Sequence, residues 1–107
     1  MKNKAFKLFG TATGSYGRAK ITATLTEAEV QMLRTVKRLT DENFEELLGK
    51  YDTNWPLYAA IEAARLSDVR ETRNGVTKII AEEHIIFIST DINKAKIAFA
   101  NWSVTNE

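Results

Sequence analysis

Five residues near the N-terminus combine side-chain types that bind anions. The set has basic and aromatic side chains at strand-like spacing: Lys7, Phe9, Tyr16, Arg18 and Lys20. Basic side chains along a strand can follow a phosphate backbone, and an aromatic side chain on the same face can stack on a base. This pattern predicts nucleic-acid or nucleotide binding. The alternative interpretation is a solvated sheet face on which Phe9 packs under a helix or a partner chain.

Three aromatic residues in the middle of the chain form a second candidate site. Tyr51, Trp55 and Tyr58 cluster around a predicted loop. Large aromatic side chains are enriched among the residues that dominate protein interfaces, so the cluster predicts a protein-interaction surface. The alternative is that these side chains anchor the loop to the core, and both interpretations stay open.

The sequence predicts neither catalysis nor metal binding. His84 is the only histidine and there is no cysteine, whereas thiolate or imidazole metal sites need several such side chains. The serines lack a nucleophile-elbow context and only His84 could act as their base, so a serine triad is not expected. His84 follows two glutamates, and we expect it in a surface turn. Glu42, Glu45 and Glu46 lie near a predicted helix start, where the helix dipole explains them. We therefore expect a non-catalytic protein without metal or cofactor.

Length and composition are those of an ordinary globular domain. The 107 residues, 44% hydrophobic and 27% charged, fit a single domain over residues 1–107. No apolar run approaches the roughly 20 residues that a membrane-spanning helix needs. We therefore expect a cytoplasmic protein that does not enter a membrane.

Charge is distributed unevenly along the chain. Residues 1–26 carry five basic residues and no acidic one, whereas residues 27–68 carry nine acidic and five basic residues. This asymmetry indicates either an anionic partner at one face or attraction between two parts of one fold. The net charge of +1 does not distinguish between them.

A first β-hairpin is predicted over residues 4–25. The glycines at positions 10, 14 and 17 do not precede a helix and lack the ending of a phosphate-binding loop, so turn chemistry explains them. Residues of the return strand alternate between apolar and polar, as in a half-buried strand. With a loop centred on residues 15 and 16, the predicted pairs are Ala12 with Ala19, Gly10 with Ile21, Leu8 with Ala23, and Phe6 with Leu25.

Three helices are predicted in the middle of the chain. Thr26 and Glu29 have the spacing of a capping box, which starts a helix over 27–39. Thr40, followed by acidic residues, caps a second helix that carries apolar residues at helical spacing up to Tyr51. Pro56 suits the first turn of a third helix, which we expect to end at Leu66.

The stretch over 69–90 joins a second hairpin to a buried strand. Asn74 and Gly75 suit a type I′ turn that pairs Thr72 with Thr77. The run over 85–88 shows no alternation, which predicts a strand covered on both faces. The tail over 91–104 fits either a helix capped by Asp91 or a strand, and its alanines and lysines favour the helix.

These elements together predict an α+β fold. We expect a mainly antiparallel sheet built from two hairpins, with two to three helices packed on one face. The function predicted is that of a small non-catalytic binding or regulatory protein that acts through protein contacts, with a homodimer as one option. An accessory or inhibitor protein of a mobile element fits this description, and nucleic-acid or nucleotide binding through the first hairpin is the alternative.

Overall fold

Five strands form one antiparallel sheet in the order β2-β1-β5-β4-β3. The structure is a computed structural model that describes residues 5–15, 17–67 and 71–106. The strands are β1 (Ala5–Gly14), β2 (Gly17–Thr26), β3 (Glu71–Arg73), β4 (Val76–Ile80) and β5 (Ile85–Ser89). β1 of the first hairpin pairs at the centre of the sheet with β5, the strand that follows the β3–β4 hairpin. The predicted α+β fold, with a sheet built from two hairpins, is confirmed.

Both hairpins have the predicted register. In the first, all four predicted pairs are observed, from Ala12 opposite Ala19 to Phe6 opposite Leu25. In the second, the hydroxyl oxygens of Thr72 and Thr77 lie 3.0 Å apart. Its turn residues both have positive φ, 55° at Asn74 and 79° at Gly75, as a type I′ turn requires. The first two residues of the predicted stretch over 69–90 lie outside the described residues.

The structural reason for glycine at position 10 differs from the one inferred from the sequence. We explained it by turn chemistry, as for Gly14 and Gly17, but it lies inside β1 between Ile21 of β2 and Ile86 of β5. A Cβ atom there would lie 1.9 Å from the carbonyl oxygen of Ile85. Glycine is therefore needed at this position because the backbone of β5 approaches too closely for any side chain.

The helical elements are α1 (Glu27–Thr35), a 3-10 turn (Val36–Arg38), α2 (Asp41–Lys50), α3 (Trp55–Leu66) and α4 (Ile92–Asn106). The capping box of α1 is confirmed, with Thr26 and Glu29 each accepting from the other's backbone N–H. Thr40 caps α2 by accepting from the N–H of Asn43. The tail is a helix, and Asp91 accepts from the N–H of Asn93 at its start.

The first helix is shorter than predicted. α1 ends at Thr35 instead of continuing to Leu39, and the chain tightens into the 3-10 turn. The side chains of two residues explain this end. The Thr35 hydroxyl donates to the carbonyl of Met32 (3.2 Å), which competes with the helical backbone pattern. The guanidinium of Arg65 on α3 donates to the carbonyls of Val36 (2.9 Å) and Leu39 (2.7 Å).

Helices cover both faces of the sheet. α1, α2 and α3 pack on one face around a core that includes Leu8, Val36 and Ile61, all less than 2% exposed. α4 packs on the other face against β1, β4 and β5, with Ala95 fully buried. All five residues of β5 are buried. The prediction of a strand covered on both faces is confirmed, and the closing helix supplies the second cover.

Candidate binding surface

The α4 side of the sheet gathers basic residues from both hairpins and from α4. We call this set the basic face, and its members are Lys7, Arg18, Lys20, Arg73, Lys78, Lys94 and Lys96. α4 contains no acidic residue. The basic face therefore places cations that are far apart in the sequence on one side of the molecule.

The opposite side of the sheet carries the acidic part of the chain. Between residues 27 and 66, which form α1 to α3 and their connections, there are eight acidic and five basic residues. The acidic ones are Glu27, Glu29, Asp41, Glu42, Glu45, Glu46, Asp52 and Glu62. The asymmetry seen along the sequence thus becomes an asymmetry across the sheet. Such a charge separation steers oppositely charged partners to opposite sides of the protein.

Phe9 lies between the sheet and α4. Its ring meets the ring of Phe99 edge to face, with centroids 5.3 Å apart, and the ammonium of Lys96 lies 5.8 Å from its centroid. An edge-to-face pair buries apolar surface and holds the helix against the strand. Phe9 thus packs under a helix, as the alternative interpretation stated, and its ring is only half-exposed to any base.

The basic side chains of the first hairpin are more accessible. Arg18 and Lys20 are exposed on β2, and the Lys7 ammonium donates to the Thr24 hydroxyl at 3.0 Å. These three cations lie on one face, as the strand period predicts. Tyr16, which was predicted to accompany them, lies outside the described residues. Nucleic-acid or anion binding by this set stays a prediction.

A groove of about 700 Å³ lies between the β3–β4 hairpin and α4. Its polar lining includes Arg73, Lys78 and Lys94, and its aromatic lining is Phe87 and Trp102. Small-molecule sites have roughly 300 to 1,000 Å³ and combine an apolar lining with a few polar groups. The sequence did not reveal this groove, because it left open whether residues 91–104 form a helix or a strand.

α4 carries apolar residues on its outward side as well as its inward side. Ala95 and Phe99 pack on the sheet, whereas Ile97 and Val104 are 60% and 85% exposed. Ile97 and Val104 are seven residues apart and therefore lie two turns apart on one side of the helix. Lys94 and Lys96 flank them, so this side of α4 has an apolar centre and a basic margin.

The three aromatic residues predicted as a protein-interaction site have separate surroundings. Tyr51 and Tyr58 are half-buried against the core under the helices. Trp55 is 39% exposed, and its indole ring lies over Gly14, where a Cβ atom would be 3.1 Å from the ring. Of the three, Trp55 has the most exposed ring. A role of this set in protein binding stays a prediction.

Tyr51 is tied to the start of α1 through Glu29. Its hydroxyl donates to one carboxylate oxygen of Glu29 at 3.4 Å, while the other oxygen accepts from the backbone N–H of Thr26 at 2.8 Å. Burial raises the pKa of Tyr51 above 10.0, and the negative charge and hydrogen bond of Glu29 raise it further. Each of these effects favours the neutral phenol.

Replacing Tyr51 by phenylalanine is expected to reduce the loss of stability at alkaline pH. The pKa of Tyr51 is higher in the folded than in the unfolded protein. The stabilisation that the neutral Tyr51 side chain contributes is therefore complete below about pH 10 and is lost as the pH rises through the folded-state pKa. Urea unfolding between about pH 9 and pH 11 would measure the effect. Equal pH dependence in the wild type and Tyr51→Phe would contradict this assignment.

His84 is buried, which corrects the prediction of a surface position. It lies in the turn between β4 and β5 but is only 7% exposed. Its Nδ1 accepts from the backbone N–H of Thr13 at 3.2 Å, and its Nε2 lies 3.7 Å from a carboxylate oxygen of Glu62. An accepting Nδ1 places the proton of the neutral imidazole on Nε2. His84 therefore connects β1, the β4–β5 turn and α3.

The described residues contain neither a metal-binding cluster nor a membrane-spanning helix. Over residues 5–15, 17–67 and 71–106, no three histidine, aspartate or glutamate residues are grouped so that they could hold a metal ion. Within the same ranges, no helix has the length and apolar character to cross a membrane. The chain matches no protein-family model, no curated protein and no solved structure.

Proposed function

We propose that this chain is a non-catalytic binding protein that engages an acidic partner protein through the outward side of α4. The observation that carries the proposal is the exposure of Ile97 and Val104 on one side of this helix. A helix with apolar residues on opposite sides is typical of a helix that is covered on both. The sheet covers one side of α4, and a partner would cover the other.

The charge of the basic face supports an acidic partner. An apolar centre within a polar margin is the usual anatomy of a protein interface, and Lys94 and Lys96 supply the margin here. A symmetric dimer through this face would bring like charges together, which disfavours self-association. Acidic side chains on a different protein would instead complement the cations and speed association.

The apolar centre of this surface can be tested by two matched variants. Val104→Asp places a carboxylate at the apolar centre, and Leu66→Asp makes the same change at a site that is 75% exposed at the end of α3. The tagged wild type would be used to capture partners from the native host, followed by titration of the purified partner. We expect Val104→Asp to weaken binding at least about tenfold and Leu66→Asp to leave it unchanged.

Salt and nuclease treatment provide the second half of this experiment. Association of the wild type with an acidic partner is expected to slow as ionic strength rises, because salt screens the attraction. Equal weakening by Val104→Asp and Leu66→Asp would contradict the proposed surface. Capture that nuclease abolishes would contradict a protein partner.

Nucleic-acid binding is the second candidate function, favoured by one observation. Lys96 of α4 lies 5.8 Å from the Phe9 ring, so the cations of the first hairpin continue onto the helix. A continuous row of cations suits a phosphate backbone. Titration of labelled single and double strands at two salt concentrations tests it, and absence of salt-dependent binding would rule it out.

A further inference from the structure

We propose that the groove between the β3–β4 hairpin and α4 binds a nucleotide, that is, a small molecule with a phosphate group and a planar ring. The groove shares Ile97 and Lys94 with the outward side of α4 but does not include Val104, and the inference does not rest on the proposed protein partner. Its volume of about 700 Å³ lies within the usual range for small-molecule sites. The chemistry of its two ends indicates the class of ligand.

The end near the hairpin turn is cationic. Arg73 precedes the turn, and the ammonium of Lys94 lies 3.8 Å from the position that a Cβ atom on Gly75 would take. Neither Arg73 nor Lys94 forms an ion pair with a carboxylate among the side chains that the structure describes, which do not include Glu71. A guanidinium binds two phosphate oxygens at once, and a lysine adds a point charge. This end therefore suits a phosphate group.

The aromatic residues of the groove lie farther from the hairpin turn, where Lys78 stands opposite Phe87. Trp102 follows Lys94 by eight residues on α4, which separates them by about 12 Å along the helix axis. Trp102 and the ring of Phe87 on β5 both line the groove. Indole and phenyl rings contact planar heterocycles favourably, with about 1 to 3 kcal/mol per base in single-strand complexes. A ligand with charged and planar ends separated by a sugar fits this arrangement.

The groove also disfavours other ligand classes. Its described lining contains no carboxylate, so a cationic ligand would meet only repulsion from Arg73 and Lys94. A purely apolar ligand would bury these cations without a counter-charge, which is costly. An anionic group joined to a planar ring satisfies both ends of the groove.

Binding can be measured with Trp102 as the reporter. The chain has two tryptophans, so Trp55→Phe leaves Trp102 as the only one. This protein would be titrated with ATP, adenosine and tripolyphosphate, with isothermal titration calorimetry as a second readout that is free of nucleotide absorbance. We expect saturable ATP binding with a dissociation constant below about 1 mM. Adenosine and tripolyphosphate, which each carry one half of the chemistry, are expected to bind at least tenfold more weakly.

Matched variants assign the site. Arg73→Gln and Lys94→Gln change exposed side chains and are each expected to weaken ATP binding about tenfold, with unchanged circular dichroism. Lys50→Gln removes the same charge from the exposed end of α2 and is expected to have no effect. Val104→Asp lies outside the groove lining and is also expected to bind ATP normally, so this inference and the proposed partner can fail independently.

Three outcomes would overturn the inference. The first is no saturable ATP binding by calorimetry or fluorescence. The second is equal affinity for ATP and tripolyphosphate, which would show that the aromatic end does not contribute. The third is equal weakening by Lys50→Gln and Lys94→Gln, which would show attraction by overall charge instead of a site in the groove.

Discussion

Replacing Arg65 by alanine is expected to lower the free energy of unfolding by about 3 kcal/mol. The guanidinium donates to the carbonyls of Val36 and Leu39 and lies 4.7 Å from the centroid of the Phe44 ring. Hydrogen bonds that involve a charged group contribute about 1.5 to 3 kcal/mol, and a cation–π contact adds about 0.5 to 1. Without Arg65, the carbonyl of Leu39 would lose this donor, and the carbonyl of Val36 would keep only the backbone N–H of Leu39.

Two companion variants separate the contributions of Arg65. Its Nη2 is 2.8 Å from a carboxylate oxygen of Asp41, but the Asp41 side chain is fully exposed. Because exposed ion pairs contribute little, Asp41→Ala should cost less than about 1 kcal/mol. Arg65→Lys should recover only part of the loss, since an ammonium lacks the planar fork of donors. Urea unfolding of the three variants measures this, and a larger loss in Asp41→Ala than in Arg65→Ala would contradict it.

Replacing Gly10 by alanine is expected to cost more than about 4 kcal/mol or to prevent folding. The new methyl group would lie 1.9 Å from the carbonyl oxygen of Ile85 and 3.0 Å from the Cα of Ile86. Both contacts are to backbone atoms of β5, the central strand, so no side-chain rotation relieves them. Relief would require β1 and β5 to separate, which breaks the pairing that joins the two hairpins.

Gly49 is the matched control for this substitution. It lies within α2, and nothing lies within 4 Å of the position of an added Cβ atom. Alanine has the higher helix propensity, so Gly49→Ala should raise the free energy of unfolding by about 0.5 to 1 kcal/mol. Thermal and urea unfolding of the two variants provide the comparison. A native-like stability in Gly10→Ala would contradict the close approach of β5.

Much of the secondary structure could be predicted because it depends on neighbours in the chain. Thr26 and Glu29 cap α1 through bonds that span only three residues, and Asn74 and Gly75 adopt their turn through their own φ angles. A short turn also aligns the strands on either side of it, so it sets their register. These features needed no knowledge of the tertiary structure.

Other features depend on residues that are distant in the sequence. Arg65 meets carbonyls 26 and 29 residues away, and His84 meets a backbone N–H 71 residues away. Periodicity carries no information about such partners. For this reason His84 was placed at the surface, and the glycine at position 10 was explained by turn chemistry although its pairing with Ile21 was predicted correctly.

The candidate sites also combine features that are local in the sequence with features that depend on distant residues. Strand alternation was sufficient to place Lys7, Arg18 and Lys20 on one face, because the period of a strand is a local property. Which helix covers that face depends on how the chain folds back on the sheet. The packing of α4 there places Lys94, Lys96 and Trp102 beside the hairpins. The groove therefore exists only in the tertiary structure, since its two walls come from segments whose contact is set by the packing of α4 on the sheet.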